Sequence, residues 1–208
     1  GNSYDVGARS VVNAGGIFSD AVRRLDEPQA QDRIVPSQGT HLVLEAGFLD
    51  SDTAILVPHT EDGRVLFAIP WQDRVLLGTT DVERPTAELE PRPLAEEIDF
   101  LLHTASRYLS RDPSPADVLS VFAGQRPLVR ESSTASTAAM ARDHVVTVSD
   151  AGLVTIAGGK WTTYRKMAAD VVDVAARVAG LPCRPSMTEH LRLHGWVQDA
   201  AADSGAEY

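Results

Sequence analysis

The sequence predicts an α+β fold in which an antiparallel β-sheet, covered by helices, is flanked by two pieces of an α/β domain. Two segments, one near each end of the chain, have the pattern of a strand, a glycine turn and a helix, and a stretch of short β-type runs separates them. A nucleotide-binding domain interrupted by a substrate domain often has this order, with the ligand in the crevice between the two.

The first of these segments lies near the amino terminus. An apolar run over residues 9–12 stops at Asn-Ala-Gly-Gly, residues 13–16, and residues 17–25 continue with the spacing of an amphipathic helix. Residues 1–30 are therefore assigned to the α/β domain.

The middle of the chain has the pattern of an antiparallel meander. Turn-type residues separate its β-type runs; Glu61-Asp62-Gly63 is a strong hairpin signal and Gln72-Asp73 a weaker one. The predicted strands cover residues 42–44, 54–57, 65–69 and 75–78, followed by 118–121 and 145–148.

Within this region, apolar residues recur at helical spacing from Leu94 to Leu109. The helix that they predict should cover one face of the sheet. Residues 31–150 are thus predicted to form a β-rich substrate-binding domain.

The second strand-turn-helix segment begins with an apolar run from Leu153 to Ala157 and turns at Gly158-Gly159. The glycines would let the backbone approach a ligand, and a helix start leaves unpaired N–H groups that favour an anion. Lys160 and Arg165 add positive charge, although an ordinary strand-to-helix turn with a surface lysine explains these residues better when they are taken alone. Residues 151–182 are predicted to complete the α/β domain, and residues 183–208 to form a linker or tail.

Composition excludes several classes of function. Acidic residues outnumber basic ones, 29 against 19, and the formal net charge of −10 disfavours binding to nucleic acid. No apolar run approaches the roughly 20 residues of a membrane-spanning helix, and the single cysteine excludes an internal disulfide and favours a reducing, cytoplasmic location. His190 and His194 have helical metal-ligand spacing but no evident third ligand, so no metal site is predicted.

Seven short motifs occur along the chain in a fixed order. They are Val12-Asn13-Ala14-Gly15, Gly39-Thr40-His41, Ile69-Pro70-Trp71, Gly78-Thr79-Thr80-Asp81, Gly124-Gln125-Arg126-Pro127-Leu128, Arg142-Asp143 and Gly158-Gly159-Lys160-Trp161-Thr162-Thr163-Tyr164-Arg165-Lys166. From about Arg9 to His194, this order resembles the FAD-dependent glycerol-3-phosphate dehydrogenases. Members of that family carry a G-x-G-x-x-G fingerprint for FAD near the amino terminus, and this sequence has none after a strand. We therefore expect a fragment that holds the substrate domain between later pieces of an FAD-binding, Rossmann-like domain.

The resemblance implies a flavoenzyme with FAD as its cofactor. Members of the family oxidise the C2 hydroxyl of sn-glycerol 3-phosphate to a ketone, giving dihydroxyacetone phosphate, and pass the electrons through FAD to a membrane quinone. A cytoplasmic protein is expected, with peripheral contact to the inner face of the cell membrane and an oligomeric state both allowed. The isolated fragment is expected to be inactive.

Catalytic and substrate-binding residues are expected from the motifs that they match. His41 matches the family's flavin-proximal histidine and is expected to accept the hydroxyl proton; taken alone, it would be a histidine at a strand start. Arg126 and Arg142 match the substrate-site arginines, which hold the phosphate and the developing alkoxide. Taken alone, either arginine would be a partner in a surface ion pair. Gly124 and Pro127 are expected to constrain the backbone around Arg126.

Cofactor contacts are expected in both glycine turns. Lys160 faces either the phosphate or the flavin, and the helix that follows it stabilises negative charge on the flavin. The residues concerned are Asn13, Ala14, Gly15, Gly158, Gly159, Lys160, Trp161 and Thr162.

Two departures from the family pattern bear on this assignment. Members often have Asn-Ala-x-Gly-Pro-Trp where this chain has Asn-Ala-Gly-Gly-Ile-Phe, residues 13–18. The related glycerol-3-phosphate oxidases tend to have Thr-Asp-Tyr-Arg where this chain has Thr162-Thr163-Tyr164-Arg165, which favours a dehydrogenase. A glycerol-3-phosphate oxidase, a flavin amine or amino-acid oxidase and a non-enzymatic binding module remain the alternatives.

Overall fold

A computed structural model of the chain describes residues 3–58, 60, 63, 65–130 and 143–196. Within these residues the chain forms two β-sheets and three α-helices. The helices are α1 (Ser19–Asp26), α2 (Ala95–Ala105) and α3 (Tyr164–Val178). The strands are β1 (Val11–Asn13), β2 (Ile34–Glu45), β3 (Ile55–Val57), β4 (Leu66–Trp71), β5 (Arg74–Gly78), β6 (Val82–Glu83), β7 (Ser120–Val129), β8 (His144–Val148) and β9 (Leu153–Gly158).

The larger sheet is built around β2. Strand β7 pairs with residues 34–43 along one edge of β2, while β5 and then β6 pair along the other edge. Strands β4 and β3 continue the sheet beyond β5, and every pairing in it is antiparallel. The predicted antiparallel sheet is present, but β2 pairs with β5 rather than with β3, so only β3, β4 and β5 form a meander.

Two strands are much longer than the apolar runs that predicted them. The run over residues 42–44 is the end of the 12-residue β2, and the run over 118–121 overlaps the start of the 10-residue β7. Prolines, glycines and polar side chains interrupt the apolar pattern in both, and these residues lie opposite each other, with Pro36 against Pro127 and Gly39 against Gly124.

The weaker of the two hairpin signals marks a tight turn. Gln72 and Asp73 join β4 to β5, and both have positive φ, +46° and +59°, as the central residues of a type I′ turn require. The stronger signal, Glu61-Asp62-Gly63, lies partly outside the described residues.

The smaller sheet has the order β1-β9-β8, with β1 parallel to β9 and β8 antiparallel to it. Helix α3 packs on the face that carries Val154 and Ile156. On the opposite face, Thr155 meets the start of α1 through the side chain of Asn13. The domain boundaries stay a prediction, although β8 belongs to this sheet and lies before the predicted boundary at residue 150.

Helix α2 covers one face of the larger sheet, as predicted. Its residues Leu101, Leu102 and Ala105 are buried in the main hydrophobic cluster. From the sheet and the adjoining turn, that cluster takes Leu42, Leu44, Phe48, Leu49, Val57, Leu66, Ala68, Val75 and Leu77. The sheet residues of this cluster all lie on the face that α2 covers.

A buried carboxylate fastens the start of α2 to the sheet. Glu97 is only 1% exposed; its Oε1 accepts a 2.5 Å hydrogen bond from the Thr80 hydroxyl, and its Oε2 accepts from Gln38 Nε2 at 2.7 Å and from the Leu94 backbone N–H at 2.9 Å. Burial raises the pKa of Glu97, but these hydrogen bonds together outweigh it and lower the pKa below its ordinary value. The Thr80 hydroxyl also accepts from the backbone N–H of Thr40 at 2.8 Å, so Glu97 links α2 to β2.

Replacing this carboxylate should destabilise the fold. We expect Glu97→Ala to lower the free energy of unfolding by about 3 kcal/mol, because it leaves buried donors unpaired, as measured by urea denaturation at pH 7. The loss should shrink as the pH falls through the lowered pKa of Glu97, where the stabilisation that the carboxylate contributes disappears. The control is Glu96→Ala, an exposed residue of the same helix turn, which should change stability by less than about 0.5 kcal/mol; equal losses from both variants would contradict this role.

Candidate active site

The predicted residues His41 and Arg126 share one face of the larger sheet. Leu42 and Leu44 point into the core under α2, so the alternate residues Gly39 and His41 lie on the other face. Directly opposite residues of paired strands share a face, and the register sets Phe122 against His41. We call this face, which carries Gly39, His41, Phe122, Gly124 and Arg126, the open face.

His41 lies at the centre of the open face. Its imidazole stacks on the ring of Phe122, with centroids 5.1 Å apart and planes 7° from parallel. On its other side, a Cβ added at Gly78 would overlap the imidazole. Burial, and secondarily the charge of Arg126, lowers the pKa of His41 below its ordinary value of 6.5. The ring is therefore neutral near pH 7 and able to accept a proton.

The guanidinium group of Arg126 packs over the backbone of Gly39. A Cβ added at Gly39 would overlap its guanidinium group, which donates to Thr79 Oγ1 at 3.0 Å and to the Thr80 carbonyl at 3.3 Å. The sequence predicted that neighbours within β7 constrain Arg126. In the structure, Gly39 of the neighbouring strand β2 also limits where the guanidinium can lie. Since the Thr80 hydroxyl is held by Glu97, the buried network under the sheet also positions the residue whose carbonyl Arg126 contacts.

Lys160 reaches the same region from the smaller sheet. Arg126 and Lys160 line one pocket of about 440 Å³. Its other lining residues are Gln125, Pro127, Leu128, Gly159 and Trp161. Because β7 contacts β9, this pocket lies where the two sheets meet, and two cationic side chains there can hold an anion.

The two glycine turns of the smaller sheet lie at one edge. Strands β1 and β9 are parallel, with Asn13 opposite Thr155, so both chains leave the sheet at their carboxyl ends on the same side. Ala14, Gly15, Trp161 and Thr162 are exposed there. Ligands of α/β sheets bind outside the carboxyl ends of the strands, so the structure brings the two groups of predicted cofactor contacts together.

The side chain of Asn13 makes hydrogen bonds that stabilise the first glycine turn. It is 3% exposed; its Nδ2 donates to the Ser19 carbonyl at 2.9 Å and to Thr155 Oγ1 at 3.3 Å, and its Oδ1 accepts from the Gly15 backbone N–H at 3.1 Å. Any effect of Asn13 on a ligand is therefore exerted through the backbone of residues 14–15, which it holds in place.

Gly158 and Gly159 are required by the bend. Their φ angles are +75° and +77°, a region that side chains with a Cβ rarely adopt. A Cβ at Gly158 would lie 2.6 Å from the Asp143 carbonyl oxygen, and one at Gly159 would overlap Met167. The glycines thus pack the turn against β8 and α3, while the approach of a ligand to them stays a prediction.

The remaining predicted residues stand as follows. Arg142 lies outside the described residues. Among those that are described, no group of three or more His, Cys, Asp or Glu side chains is arranged to hold a metal ion, and His190 and His194 lie beyond the last helix. No helix in the described ranges is long and apolar enough to cross a membrane.

Sequence reasoning missed four residues that shape the open face. Thr79 and Thr80 were part of a motif without an assigned role. Phe122 lay one residue beyond the predicted strand, and Glu97 lay within the predicted helix without an assigned role. The glutamate three residues after Leu94 could have signalled a helix start, since a carboxylate at that position commonly accepts from the N-cap backbone N–H.

A family model described as FAD dependent oxidoreductase matches residues 1–165 of this chain. The chain belongs to the FAD dependent oxidoreductase family. A mitochondrial glycerol-3-phosphate dehydrogenase of Mus musculus is 43% identical over 197 residues, which are 94% of this chain and 27% of the relative. The chain thus spans about a quarter of the length of that curated relative.

Solved structures of FAD-containing enzymes share the fold of this family member. The glycerol-3-phosphate dehydrogenase of Bacillus halodurans, complexed with FAD, is 34% identical with a TM-score of 0.69, over 84% of this chain and 34% of that one. The L-alpha-glycerophosphate oxidase of Mycoplasma pneumoniae, with FAD bound, is 18% identical with a TM-score of 0.59, over 83% of this chain and 43% of that one. The second likeness shows the fold alone.

The charge on Arg126 should contribute to the lowered pKa of His41. We expect Arg126→Gln to raise the pKa of His41, because the variant removes a positive charge that disfavours the imidazolium. An NMR titration of the histidine resonances, with His41→Gln for assignment, measures this shift. Arg130→Gln, which removes an exposed charge at the end of β7, should leave the titration unchanged; a His41 pKa that stays constant in Arg126→Gln would rule out the coupling.

Proposed function

We propose that the intact protein uses FAD to oxidise the C2 hydroxyl of sn-glycerol 3-phosphate to the ketone of dihydroxyacetone phosphate, and that the open face is its substrate site. The observation that carries this proposal is the spacing of two groups. His41 and Gly39, over which the Arg126 guanidinium lies, are two residues apart on one strand, or about 7 Å. A three-carbon phosphate ester spans such a distance, with its phosphate on the arginine and its central hydroxyl at the imidazole.

Arg126 and Lys160 suit the phosphate end of this substrate. A guanidinium holds phosphate oxygens with two parallel hydrogen bonds, and an ammonium adds a point charge. Both side chains line the pocket between the sheets, and two cations in a chain of net charge −10 make this pocket selective for an anionic ligand. Thr79 and Thr80 hold the guanidinium plane in place before the ligand arrives.

His41 suits the hydroxyl end. Oxidation of an alcohol requires that the hydroxyl lose its proton as the C–H bond breaks, and a neutral imidazole within hydrogen-bond reach is a suitable acceptor. Burial and Arg126 lower the pKa of His41, so the acceptor form is populated at neutral pH. Arg126 also favours the developing alkoxide, because its positive charge lies on the same face.

The smaller sheet suits FAD. Exposed backbone at residues 14–15 and 160–162 lies at the carboxyl end of a parallel strand pair, and the helix start after Lys160 favours negative charge. When bound, FAD supplies the acceptor for the hydride. Electron transfer to a membrane quinone, a cytoplasmic location with peripheral membrane contact, and inactivity of this chain by itself are further parts of the proposal that rest on the family resemblance.

Dehydrogenase activity is favoured over the alternatives by two features. The mouse relative that is 43% identical is named a dehydrogenase, whereas the glycerophosphate oxidase of Mycoplasma pneumoniae is 18% identical. An amine or amino-acid oxidase needs one carboxylate-binding cation, and the pocket here presents both Arg126 and Lys160.

Removing the guanidinium should weaken selectivity for the phosphate ester over glycerol. In the intact protein, we expect Arg126→Ala to lower kcat/KM for sn-glycerol 3-phosphate by about 100- to 1,000-fold, while turnover of glycerol, which has no phosphate, falls far less. Dye-coupled steady-state assays measure kcat/KM of the variant on sn-glycerol 3-phosphate and on glycerol. Arg130→Ala is the control for loss of an exposed positive charge. Equal losses on the two substrates would remove Arg126 from phosphate recognition.

Misplacing the guanidinium without removing it should have a similar consequence. We expect Gly39→Ala to lower kcat/KM for sn-glycerol 3-phosphate by at least about 10-fold, because the new Cβ overlaps the place that Arg126 occupies. Gly47→Ala, whose Cβ would meet nothing within 4 Å, is the matched control in the same assay. If Gly39→Ala retains full activity, the contact between Arg126 and Gly39 has no part in substrate binding.

A further inference from the structure

The imidazole of His41 is confined from both sides. The register sets His41 opposite Phe122 on β7 and opposite Gly78 on β5. On the first side the two rings are stacked, 5.1 Å apart and nearly parallel. On the second side the imidazole occupies the volume that any side chain at residue 78 would take. The ring therefore lies in a slot between an aromatic face and bare backbone.

Packing in the hydrophobic core does not account for the position of the Phe122 ring beside His41. Its neighbour Val121 packs against the core cluster under α2, whereas Phe122 lies on the open face and is 48% exposed. An aromatic ring that stays half exposed contributes only part of its apolar area to stability. Among the described residues, its ring stacks on that of His41, so we look for the effect of Phe122 at that side chain.

The slot restricts the motion that matters most for proton transfer. Rotation about the last side-chain torsion of histidine is broad in general, and a base that swings out of plane loses its hydrogen bond to the substrate. Stacking between parallel rings removes that freedom without a hydrogen bond that would compete for a ring nitrogen. The apolar ring also excludes water from one face of the imidazole, which is consistent with the burial that lowers the pKa of His41.

We propose that Phe122 is a positioning residue for His41, holding the imidazole in one plane over Gly78 so that a ring nitrogen meets the C2 hydroxyl while Arg126 holds the phosphate. This inference rests on the proposed function of the open face. It assigns to Phe122 an effect on the chemical step and none on phosphate binding, because the Arg126 guanidinium is held by Thr79 and Thr80 and Lys160 reaches the pocket from the turn after β9.

Steady-state kinetics of the intact protein test whether Phe122 acts on the chemical step rather than on phosphate binding. Phe122→Leu keeps an apolar side chain but removes the flat ring; it should lower kcat for sn-glycerol 3-phosphate by about 10- to 100-fold and leave KM within about 2-fold. Phe122→Tyr keeps the ring and should retain kcat. The control is Phe67→Leu, the same substitution at a ring that is 40% exposed on the same face, opposite Gly78. Equal kcat for Phe122→Leu and Phe67→Leu, or a rise in KM that accounts for the loss, would overturn the inference.

A second readout does not depend on turnover. Ring protons of His41 lie over the face of Phe122 and should carry an upfield ring-current shift in the NMR spectrum, which Phe122→Leu removes and Phe67→Leu does not. His41→Gln in the kinetic assay separates the two proposals. Full activity in His41→Gln refutes the histidine as proton acceptor; loss of activity in His41→Gln together with normal kcat in Phe122→Leu refutes only the positioning role.

Discussion

The pairing of β2 with β7 is the constraint on which the rest of the structure depends. Ten consecutive residues of β2 lie opposite residues of β7, and one register sets the glycines, the stacked rings and Arg126 in their places. A shift by a single residue would turn every side chain to the other face. Leu42 and Leu44 under α2 forbid that shift, since it would move them out of the core. The hydrophobic core thus fixes the geometry of the open face.

Polar residues behind the sheet extend this constraint to the site. Gln38 and Thr40 lie on the α2 side of β2, where apolar side chains would be expected. Glu97 accepts hydrogen bonds there from the amide nitrogen of Gln38 and from the Thr80 hydroxyl. Thr80 in turn presents its carbonyl to Arg126. The start of α2, the segment between β5 and β6 and Arg126 are therefore linked by hydrogen bonds through one buried carboxylate.

Some elements of this architecture could be predicted from the sequence, and others could not. Segments with regular apolar spacing, such as α2 and α3, were predicted because burial on one side of a helix leaves a periodic pattern. The predicted segments were shorter than strands β2 and β7, because polar, glycine and proline residues interrupt the apolar pattern. These residues lie opposite each other across the sheet, and the periodicity of a single segment contains no information about such non-local pairing. His41 and Arg126 were named through motif resemblance, whereas Phe122, Gly78 and Glu97 matter through contacts that only the register creates.

The most direct test of the account is a crystal structure of the intact protein with FAD and dihydroxyacetone phosphate bound. The account predicts phosphate oxygens at hydrogen-bond distance, about 2.7–2.9 Å, from the Arg126 guanidinium and the Lys160 ammonium, with the C2 oxygen facing the imidazole of His41. A phosphate bound away from Arg126, or a product whose C2 oxygen lies beyond reach of His41, would contradict the assignment of the open face as the substrate site.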